Sequence, residues 1–335
     1  MTKLELLRDL SFGSRIAEEE AAELKSYFVK TDTWNRIFAG EIDVIYGSKG
    51  AGKSAIYAVL ADSASPLNER GIFLTTAENP RGATVFRDLV ADPPTSEREF
   101  VGMWKLYFLS LVGWRFRELE INNASAKTLI AALEDAKLLE RNASLQGMLK
   151  SAFDYMRRLI SVESLSTTLE IDPMTGFAKG LTGKITLREP TSAEKEQGFT
   201  SAESLFGLAD QALKDEEKAV WILLDRLDVA FADEPKLEQA ALRARFKVYL
   251  DLLPFQRVNL KIFIRTDIWK RLTGEGFREA SHITRDVTIS WDPQELLNLI
   301  IRRVVRNAKF REYYNVDEEE VLRGSESQEH LFKRI

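Results

Sequence analysis

The stretch EIDVIYGSKGAGKSAIYAVL, Glu41 to Leu60, contains the motif that most strongly predicts the fold. Within it, Gly47 to Ser54 match the pattern G-x-x-x-x-G-K-[ST] at every position. The apolar, β-branched residues before the motif predict a buried strand, and the apolar spacing after it predicts a helix. A glycine-rich loop in this place turns backbone N–H groups toward an anion, and the helix N-terminus adds the positive end of its dipole. The stretch therefore predicts a phosphate-binding loop, or P-loop.

Each residue type in this loop has a chemical task. Lys53 is expected to reach the β- and γ-phosphates of a nucleotide, and the Ser54 hydroxyl is expected to bind Mg²⁺. The alternative is a turn that needs glycine for its backbone geometry alone, but such a turn does not require Lys53 and Ser54. The predicted ligand-binding residues are Gly47, Ser48, Lys49, Gly50, Ala51, Gly52, Lys53, Ser54 and Ala55.

A second motif places two carboxylates after another predicted strand, in the run KAVWILLDRLDVAF from Lys218 to Phe231. Val220 to Leu224 is an unbroken apolar stretch typical of a central parallel strand, and Asp225 stands where it ends. We expect Asp225 to bind Mg²⁺ through water, and Asp228 to orient or deprotonate the attacking water in a hydrolysis reaction. The alternatives are a helix N-cap for Asp225 and a surface position for Asp228.

A third motif is NLKIFIRTDIWKRL, from Asn259 to Leu272. Leu260 to Ile264 predicts a short buried strand, and Arg265, Thr266 and Asp267 follow at its carboxyl end, where open α/β sheets bind ligands. An arginine there can contact the γ-phosphate, so Arg265 is a candidate catalytic residue beside Lys53. The equally supported alternative is that Arg265 forms a structural ion pair and Asp267 caps the following helix.

Length and composition agree with a globular nucleotide-binding protein. The 335 residues suggest about two domains, or one large α/β domain with insertions. Apolar content of 44% and charged content of 30% are ordinary values. The 47 basic and 52 acidic residues give a net charge of −5, so no global basic excess points to nucleic acid.

Composition also excludes several classes of protein. The longest apolar run, LYFLSLVGW from Leu106 to Trp114, is too short for a membrane span, which needs roughly 20 residues, and no signal peptide is visible. Cysteine is absent, and the two histidines, His282 and His330, are far apart in sequence, which excludes disulfides and thiolate metal sites. We therefore expect a cytoplasmic protein with no membrane segment and no structural metal.

The remaining segments supply the surroundings of the three motifs. Ala17 to Val29 predicts a helix that covers the core, and the pattern from about Glu97 to Val162 is helical. Alternating runs at about 167–188 predict a β-hairpin, and the polar stretch EPTSAEKEQGFTS predicts a mobile linker before a helix near Ser201. Five aromatic side chains of the helical stretch are expected to form core rather than a base-stacking platform. They are Phe100, Trp104, Phe108, Trp114 and Phe116.

Taken in order, GSKGAGKS, VWILLDRLD and KIFIRTD resemble the motifs of the additional-strand P-loop ATPases, the division that contains AAA+, STAND, KAP and origin-recognition-type ATPases. The run HITRDVTISWDPQELLNLIIRRV is most similar to the STAND and KAP side, where a last strand leads into a helical lid. FGSRIAEEEAAELKSYFV before GSKGAGKSAI further resembles a group of bacterial P-loop ATPases often found beside anti-phage defence genes.

This resemblance implies an α/β P-loop NTPase fold with a five-stranded, mainly parallel sheet flanked by helices, and a Mg²⁺-dependent ATPase with ATP as its nucleotide. It implies that the P-loop strand lies between the Arg265 strand and the closing strand DVTIS, with the Asp225 strand and then GIFLTT on the far side of the Arg265 strand. Many relatives place a second acidic residue directly after the metal-binding aspartate. Here Arg226 stands there, which favours a slow, nucleotide-gated switch and leaves Asp228 as the nearby candidate base.

The domain prediction follows from these segments. We expect an N-terminal helical segment at 1–38, an ATPase core at 39–290 with a helical insertion at about 97–162 and the hairpin, and a C-terminal helical lid at 291–335. The expected partners are further copies of the chain or a separate effector chain. A nucleic-acid-sensing or remodelling ATPase is the alternative, because Arg302, Arg306 and Lys309 share one face of the last long helix.

Overall fold

The computed structural model describes residues 2–10, 21–78, 94, 96–142, 144–165, 184–225 and 234–335. Their strands are β1 Val44–Gly47, β2 Ile72–Thr76, β3 Ile185–Thr186, β4 Thr200–Ser201, β5 Ala219–Leu224, β6 Val258–Arg265 and β7 Asp286–Thr288. The helices up to β3 are α1 Lys3–Asp9, α2 Ala21–Tyr27, α3 Asp32–Ala39, α4 Lys53–Ala61, α5 Ala64–Asn68, α6 Glu97–Glu118, α7 Ala124–Asp135 and α8 Leu145–Leu165. The later helices are α9 Ser192–Glu196, α10 Ala202–Asp215, α11 Pro235–Leu252, α12 Thr266–Gly274, the 3₁₀ helix Arg278–His282, α13 Pro293–Val305, α14 Ala308–Tyr314, α15 Glu318–Leu322 and α16 Ser325–Arg334.

The main sheet of the described chain has five strands in the order β2, β5, β6, β1, β7, and all neighbouring pairs are parallel. The predicted α/β class and the five-stranded parallel sheet are therefore confirmed, and the strand order is the one that the resemblance implies. Because every strand runs the same way, the carboxyl ends of all five lie at one edge, which is the edge where ligands bind in open α/β sheets.

Two hydrophobic clusters cover the two faces of this sheet. One contains inward residues of β5 and β6, such as Ile222 and Ile262, with apolar side chains of α6, α7, α8, α10 and α11. The other contains Ile45, Leu223 and Phe263 from the sheet with apolar side chains of α2, α3 and α4. Residues alternate between the two faces along each strand because successive side chains of a strand point to opposite sides.

The predicted aromatic core is confirmed. Phe100, Trp104, Phe108 and Phe116 of α6 are fully buried, and Trp114 packs against the same cluster while partly exposed. The Trp104 indole N–H donates a hydrogen bond of 3.1 Å to the Ala241 carbonyl of α11. These rings pack α6 against the sheet and α11, so they do not form a surface on which bases could stack.

The segment between α8 and α10 differs from the sequence-based expectation. Most of the predicted hairpin, residues 166–183, lies outside the described residues, and β3 at its end pairs in parallel with β4. The stretch predicted as a mobile linker contains a short helix, α9, so that prediction is wrong. The reason is local, because Thr191 and Glu194 form a capping box, a T-x-x-E pattern in which each side chain bonds the other residue's backbone N–H. The helix predicted near Ser201 is present as α10, with Ser201 as its N-cap.

A third cluster lies at the two ends of the chain. Leu6 of α1 is buried together with Ile301, Val304 and Phe310, and the cluster continues through α15 and α16. The Lys3 ammonium donates a hydrogen bond of 3.4 Å to the Arg334 carbonyl. The first described helix therefore packs with the C-terminal helices.

Candidate functional site

The loop between β1 and α4 lies at the carboxyl edge of the sheet. β1 ends at Gly47 and α4 begins at Lys53, so the loop is short and joins a buried strand directly to a helix. Gly50 and Gly52 have φ values of +83° and +101°, a region that residues with a side chain rarely adopt. These glycines give the loop the backbone turn that the motif predicts.

Close packing inside the loop explains a third glycine. A Cβ atom at Gly47 would come within 3.0 Å of Lys53 Cγ and 3.2 Å of the Ala51 Cβ. The Lys53 side chain therefore lies across the start of the loop. Its ammonium donates hydrogen bonds of 2.8 Å to the Gly47 carbonyl and 2.9 Å to the Ser48 carbonyl. The positive charge of Lys53, which is predicted to bind phosphate, therefore lies over the loop.

The start of α4 fits an anion. Gly52 occupies the N-cap position in the left-handed conformation, and among the described residues no side chain caps this helix end. The first-turn N–H groups of a helix carry partial positive charge and have no acceptor inside the helix. Ser54 and Ala55 lie in this first turn and are partly exposed. A phosphate group therefore fits the loop by backbone geometry and by charge.

Asp225 lies one residue beyond β5 and is 6% exposed. In the register of the sheet, Leu224 pairs with Ile262 and Gly47 pairs with Arg265, so the ends of β5, β6 and β1 are neighbours at one edge. The Ser54 hydroxyl and the Asp225 carboxylate are oxygen donors, which Mg²⁺ prefers. The described residues contain no group of three or more His, Asp or Glu side chains placed to hold a metal, so phosphate oxygens and water would have to complete a Mg²⁺ shell here.

Glu78 is an acidic residue of this edge that sequence reasoning missed. It follows β2 by two residues, is 1% exposed, and its Oε1 accepts a hydrogen bond of 2.8 Å from the Asp225 backbone N–H. The sequence did contain a signal, because Glu78 stands just after the strand predicted from GIFLTT, as Asp225 stands after its own strand. The contact itself joins residues 147 positions apart.

Arg265 ends β6 and its guanidinium pairs with Asp267. Its Nε and one terminal nitrogen donate hydrogen bonds of 3.1 Å and 2.6 Å to the two carboxylate oxygens. This bidentate contact, together with backbone N–H groups at the start of α12, lowers the pKa of the Asp267 carboxyl. The structure therefore brings Arg265 to the predicted edge and shows the ion pair of the structural alternative. Asp267 does not cap the helix, because it lies inside the first turn of α12 and the N-cap is Arg265. A contact with a γ-phosphate stays a prediction.

Asp228, the predicted base, and Arg226 lie outside the described residues, so their predicted roles remain predictions. The basic side chains behind the nucleic-acid alternative do not share one helix as predicted, because α13 ends at Val305 and α14 begins at Ala308. They are described and have contacts within the chain. Arg302 Nε donates to Asn298 Oδ1 at 2.7 Å, and Lys309 Nζ pairs with Asp9 at 3.0 Å. The Arg306 guanidinium lies 5.3 Å from the centre of the Tyr27 ring.

One contact joins the loop to the C-terminal helices. The Trp291 indole N–H donates a hydrogen bond of 2.9 Å to the Ala51 carbonyl, and a Cβ at Gly52 would lie 3.7 Å from the Trp291 ring. The next residue, Asp292, is the N-cap of α13 in a capping box with Glu295. Sequence reasoning did not predict this contact, which links residues 240 positions apart.

Comparisons with protein-family models, with curated proteins and with solved structures found no match to this chain. None of the helices in the described part of the chain combines the length and apolar character that crossing a membrane requires. The residues at the carboxyl edge of the sheet and their geometry are therefore the basis for assigning a function.

Proposed function

We propose that the chain binds ATP with Mg²⁺ at the carboxyl edge of the sheet, hydrolyses it slowly and acts as a nucleotide-gated switch. The observation that carries this proposal is the meeting of three motifs at one edge. The loop of Gly47 to Ser54 ends β1, Asp225 ends β5 and Arg265 ends β6, and these strands are neighbours. Motifs that are about 170 and 210 residues from the loop in sequence would not meet there by local propensity alone.

Each residue has a role in the proposed reaction. Lys53 and the first-turn N–H groups of α4 bind the phosphates, and Ser54 with Asp225 holds Mg²⁺, which when bound offsets negative charge on the phosphates. Arg265 is proposed to respond to the terminal phosphate by exchanging its contact with Asp267 for one with the nucleotide. Asp228 is proposed to orient or deprotonate water.

The switch part of the proposal is supported by the Trp291 contact with Ala51, because any movement of the loop backbone acts directly on the residue before the N-cap of α13. The resemblance to defence-associated ATPases makes another copy of the chain or an effector protein the proposed target of that movement. The nucleic-acid alternative has less support, since Arg302, Arg306 and Lys309 each contact groups of their own chain.

Replacing Lys53 by Ala tests the nucleotide site. The change removes a charged donor to phosphate, and such hydrogen bonds contribute about 1.5–3 kcal/mol, so ATP affinity should fall about 10- to 100-fold. Isothermal titration calorimetry with ATP and Mg²⁺ measures the affinity, and Lys150→Ala, at an exposed position on α8, is the matched control. Equal ATP affinity in both variants and the parent would refute the assignment of the loop.

The mass of the chain in solution tests whether the nucleotide changes its assembly. Light scattering of the parent chain, with and without ATP and Mg²⁺, should show an assembly that depends on the nucleotide. When ADP replaces ATP, a smaller fraction of the chain should be assembled. A mass that is the same under all three conditions, in a chain that does bind ATP, would remove self-assembly from the proposal. The separate effector chain would then be the remaining target.

A further inference from the structure

A cavity of about 380 Å³ opens at the amino edge of the sheet, opposite the phosphate loop. Its walls come from the end of α11, from the connection to β6 and the first residues of that strand, and from the residues just before β1 and β7. This volume lies in the range of pockets that hold small organic molecules. The residues predicted to bind the nucleotide do not line the cavity, so its occupant would be a second ligand.

Apolar side chains form one wall of this cavity. They are Leu252 and Leu253 at the end of α11, Phe255 in the connection, and Val258 and Leu260 in β6. Leu252, Val258 and Leu260 are at most 3% exposed, whereas Leu253 is 43% exposed. An apolar body placed against this wall would remove apolar surface from water, which is favourable. The wall therefore fits a ring or a short hydrocarbon chain.

One buried carboxylate, Asp43, lies on the polar side of the cavity and already has several donors. It accepts a hydrogen bond of 2.8 Å from the Lys261 ammonium, pairs with Arg285 Nε at 2.9 Å, and accepts a hydrogen bond of 3.3 Å from the Tyr249 hydroxyl. Burial raises the pKa of Tyr249, so its hydroxyl stays protonated and remains a donor. Asp43 therefore has little capacity left to bind a cationic ligand.

Arg285 is the charged group of this cluster that a ligand can reach. Its side chain is 44% exposed, whereas that of Lys261 is 1% exposed. One terminal nitrogen donates to the Gly40 carbonyl, and among the residues that the structure describes none accepts a hydrogen bond from the other. Asp286, the next residue, is exposed and does not line the cavity. A guanidinium fixed in this way, with an N–H to spare, matches a carboxylate or a phosphate group.

We propose that this cavity is a second ligand site, which binds a small organic anion with an apolar body, such as an aromatic carboxylate or a phosphate ester. Arg285 binds the anionic group, and the wall that includes Leu252, Val258 and Leu260 contacts the apolar body. The site does not depend on the proposed ATP site, because it lies at the other edge of the sheet and shares none of its residues.

Four small probes added to the full chain separate the two parts of this proposal. 2-Naphthoate carries a carboxylate on an apolar body, and 2-naphthyl phosphate carries a phosphate on the same body. 2-Naphthalenemethanol lacks the charge, and acetate lacks the apolar body. Titrations followed by methyl NMR of leucine and valine measure the affinities and show whether the methyl groups of Leu252, Leu253 and Val258 respond.

At least one of the two naphthalene anions should bind about 10- to 100-fold more tightly than the neutral alcohol, which is the contribution of a charged hydrogen bond. The anion that binds more tightly identifies the anionic group of the ligand class. Acetate should bind more weakly than 2-naphthoate, because it lacks the apolar body. Cavity methyl groups that respond to neither naphthalene anion would overturn this inference and leave the proposed ATP site standing.

Arg285→Gln tests the role of the guanidinium. The variant should lose most of the preference for the anionic probe over the alcohol. Arg278→Gln, at an exposed position of the 3₁₀ helix, is the matched control and should keep the preference of the parent. An equal preference in Arg285→Gln and in the parent would refute the assignment of Arg285.

Should Arg285→Gln not fold, as judged by circular dichroism, Asn259→Phe gives the decision. Asn259 is a partly exposed residue of β6 that lines the cavity, so a larger aromatic side chain there should fill part of it. In a variant with the circular dichroism spectrum of the parent, the affinity for 2-naphthoate and 2-naphthyl phosphate should fall about 10-fold or more. Affinities equal to those of the parent would show that the probes bind elsewhere and would overturn the inference.

Discussion

At the amino end of the sheet, opposite the phosphate loop, one carboxylate compensates two cations. Asp43 accepts a hydrogen bond of 2.8 Å from the Lys261 ammonium and pairs with Arg285 Nε at 2.9 Å. Lys261 is fully buried, donates to the Ile42 carbonyl at 2.7 Å, and lies 4.2 Å from the centre of the Trp221 ring. Burial lowers the pKa of Lys261, and the carboxylate of Asp43 acts against that shift. This cluster joins β6 to the residues just before β1 and β7.

Replacing Asp43 by Asn should destabilise the fold more than replacing Lys261 by Met. The first change leaves Lys261 buried without its counterion, and removing one partner of a buried pair costs about 3–5 kcal/mol. The second leaves Asp43 with Arg285, so its effect should be smaller. Urea unfolding measures the free energies of unfolding, with Lys309→Met at the exposed Lys309–Asp9 pair as a control that should change by less than about 1 kcal/mol. Asp43→Asn that is as stable as this control would contradict the role of the cluster.

At the scale of elements, α9 shows how a short helix forms in a polar stretch. Arg188 donates two hydrogen bonds to the Glu194 carboxylate, at 2.8 Å and 2.5 Å, and the Thr191 backbone N–H donates a third at 2.7 Å. The contact with Arg188 is the largest cause that lowers the pKa of Glu194 from 4.5 to about 2. The ionised carboxylate therefore belongs to the folded form of α9.

The stability of α9 should depend on pH. Because the pKa of Glu194 is lower in the folded state, its contribution is complete above about pH 4.5 and is lost as the pH falls toward about 2. We expect the NMR shift of the Glu194 carboxyl carbon to titrate near the lower value, and Arg188→Gln to move that midpoint upward. Glu196→Gln, at an exposed position of the same helix, should leave it unchanged. A Glu194 midpoint near 4.5 in the parent would contradict the contacts described.

At the scale of the whole molecule, the chain ends and the phosphate loop are connected. α1 packs with α13 to α16 in one hydrophobic cluster, and the residue that precedes the α13 N-cap, Trp291, bonds the loop at Ala51. A change in the loop can therefore reach α1 and the C-terminal helices through the Trp291 side chain, among other contacts. This arrangement suits a switch whose output lies in the C-terminal helices.

Trp291→Phe should uncouple the loop from these helices. The substitution keeps an aromatic ring but removes the N–H that bonds Ala51, so ATP affinity should change by less than about 10-fold, the effect of one neutral hydrogen bond. Hydrogen exchange of the amides in α13 to α16, with and without ATP and Mg²⁺, measures the coupling. The ATP-dependent change in exchange should shrink in this variant and persist in Tyr313→Phe, an exposed aromatic position in α14. An undiminished change in Trp291→Phe would show that the coupling takes another route.

Local sequence patterns are enough to predict the features that neighbouring residues decide. The strand before Gly47, the helix after Lys53 and the strand before Asp225 follow from patterns a few residues long, because burial and backbone preference act over that range. The parallel sheet followed from these elements, and its strand order from the resemblance. The same short-range rule also shows why α9 was predictable in principle. Its capping box spans residues 191–194, within a stretch whose polar composition predicts a linker.

Which distant residues meet depends on the packing of the whole fold. Glu78 contacts Asp225 across 147 positions, Lys261 contacts Asp43 across 218 and Trp291 contacts Ala51 across 240. No periodicity or spacing predicts such pairs, because the register between strands and the packing of helices place them together, and both depend on the whole core. The sequence thus named the phosphate loop and the residues at two other strand ends. The fold places the buried Glu78, which follows β2, beside Asp225. It also brings Trp291, which lies between β7 and α13, into contact with the loop.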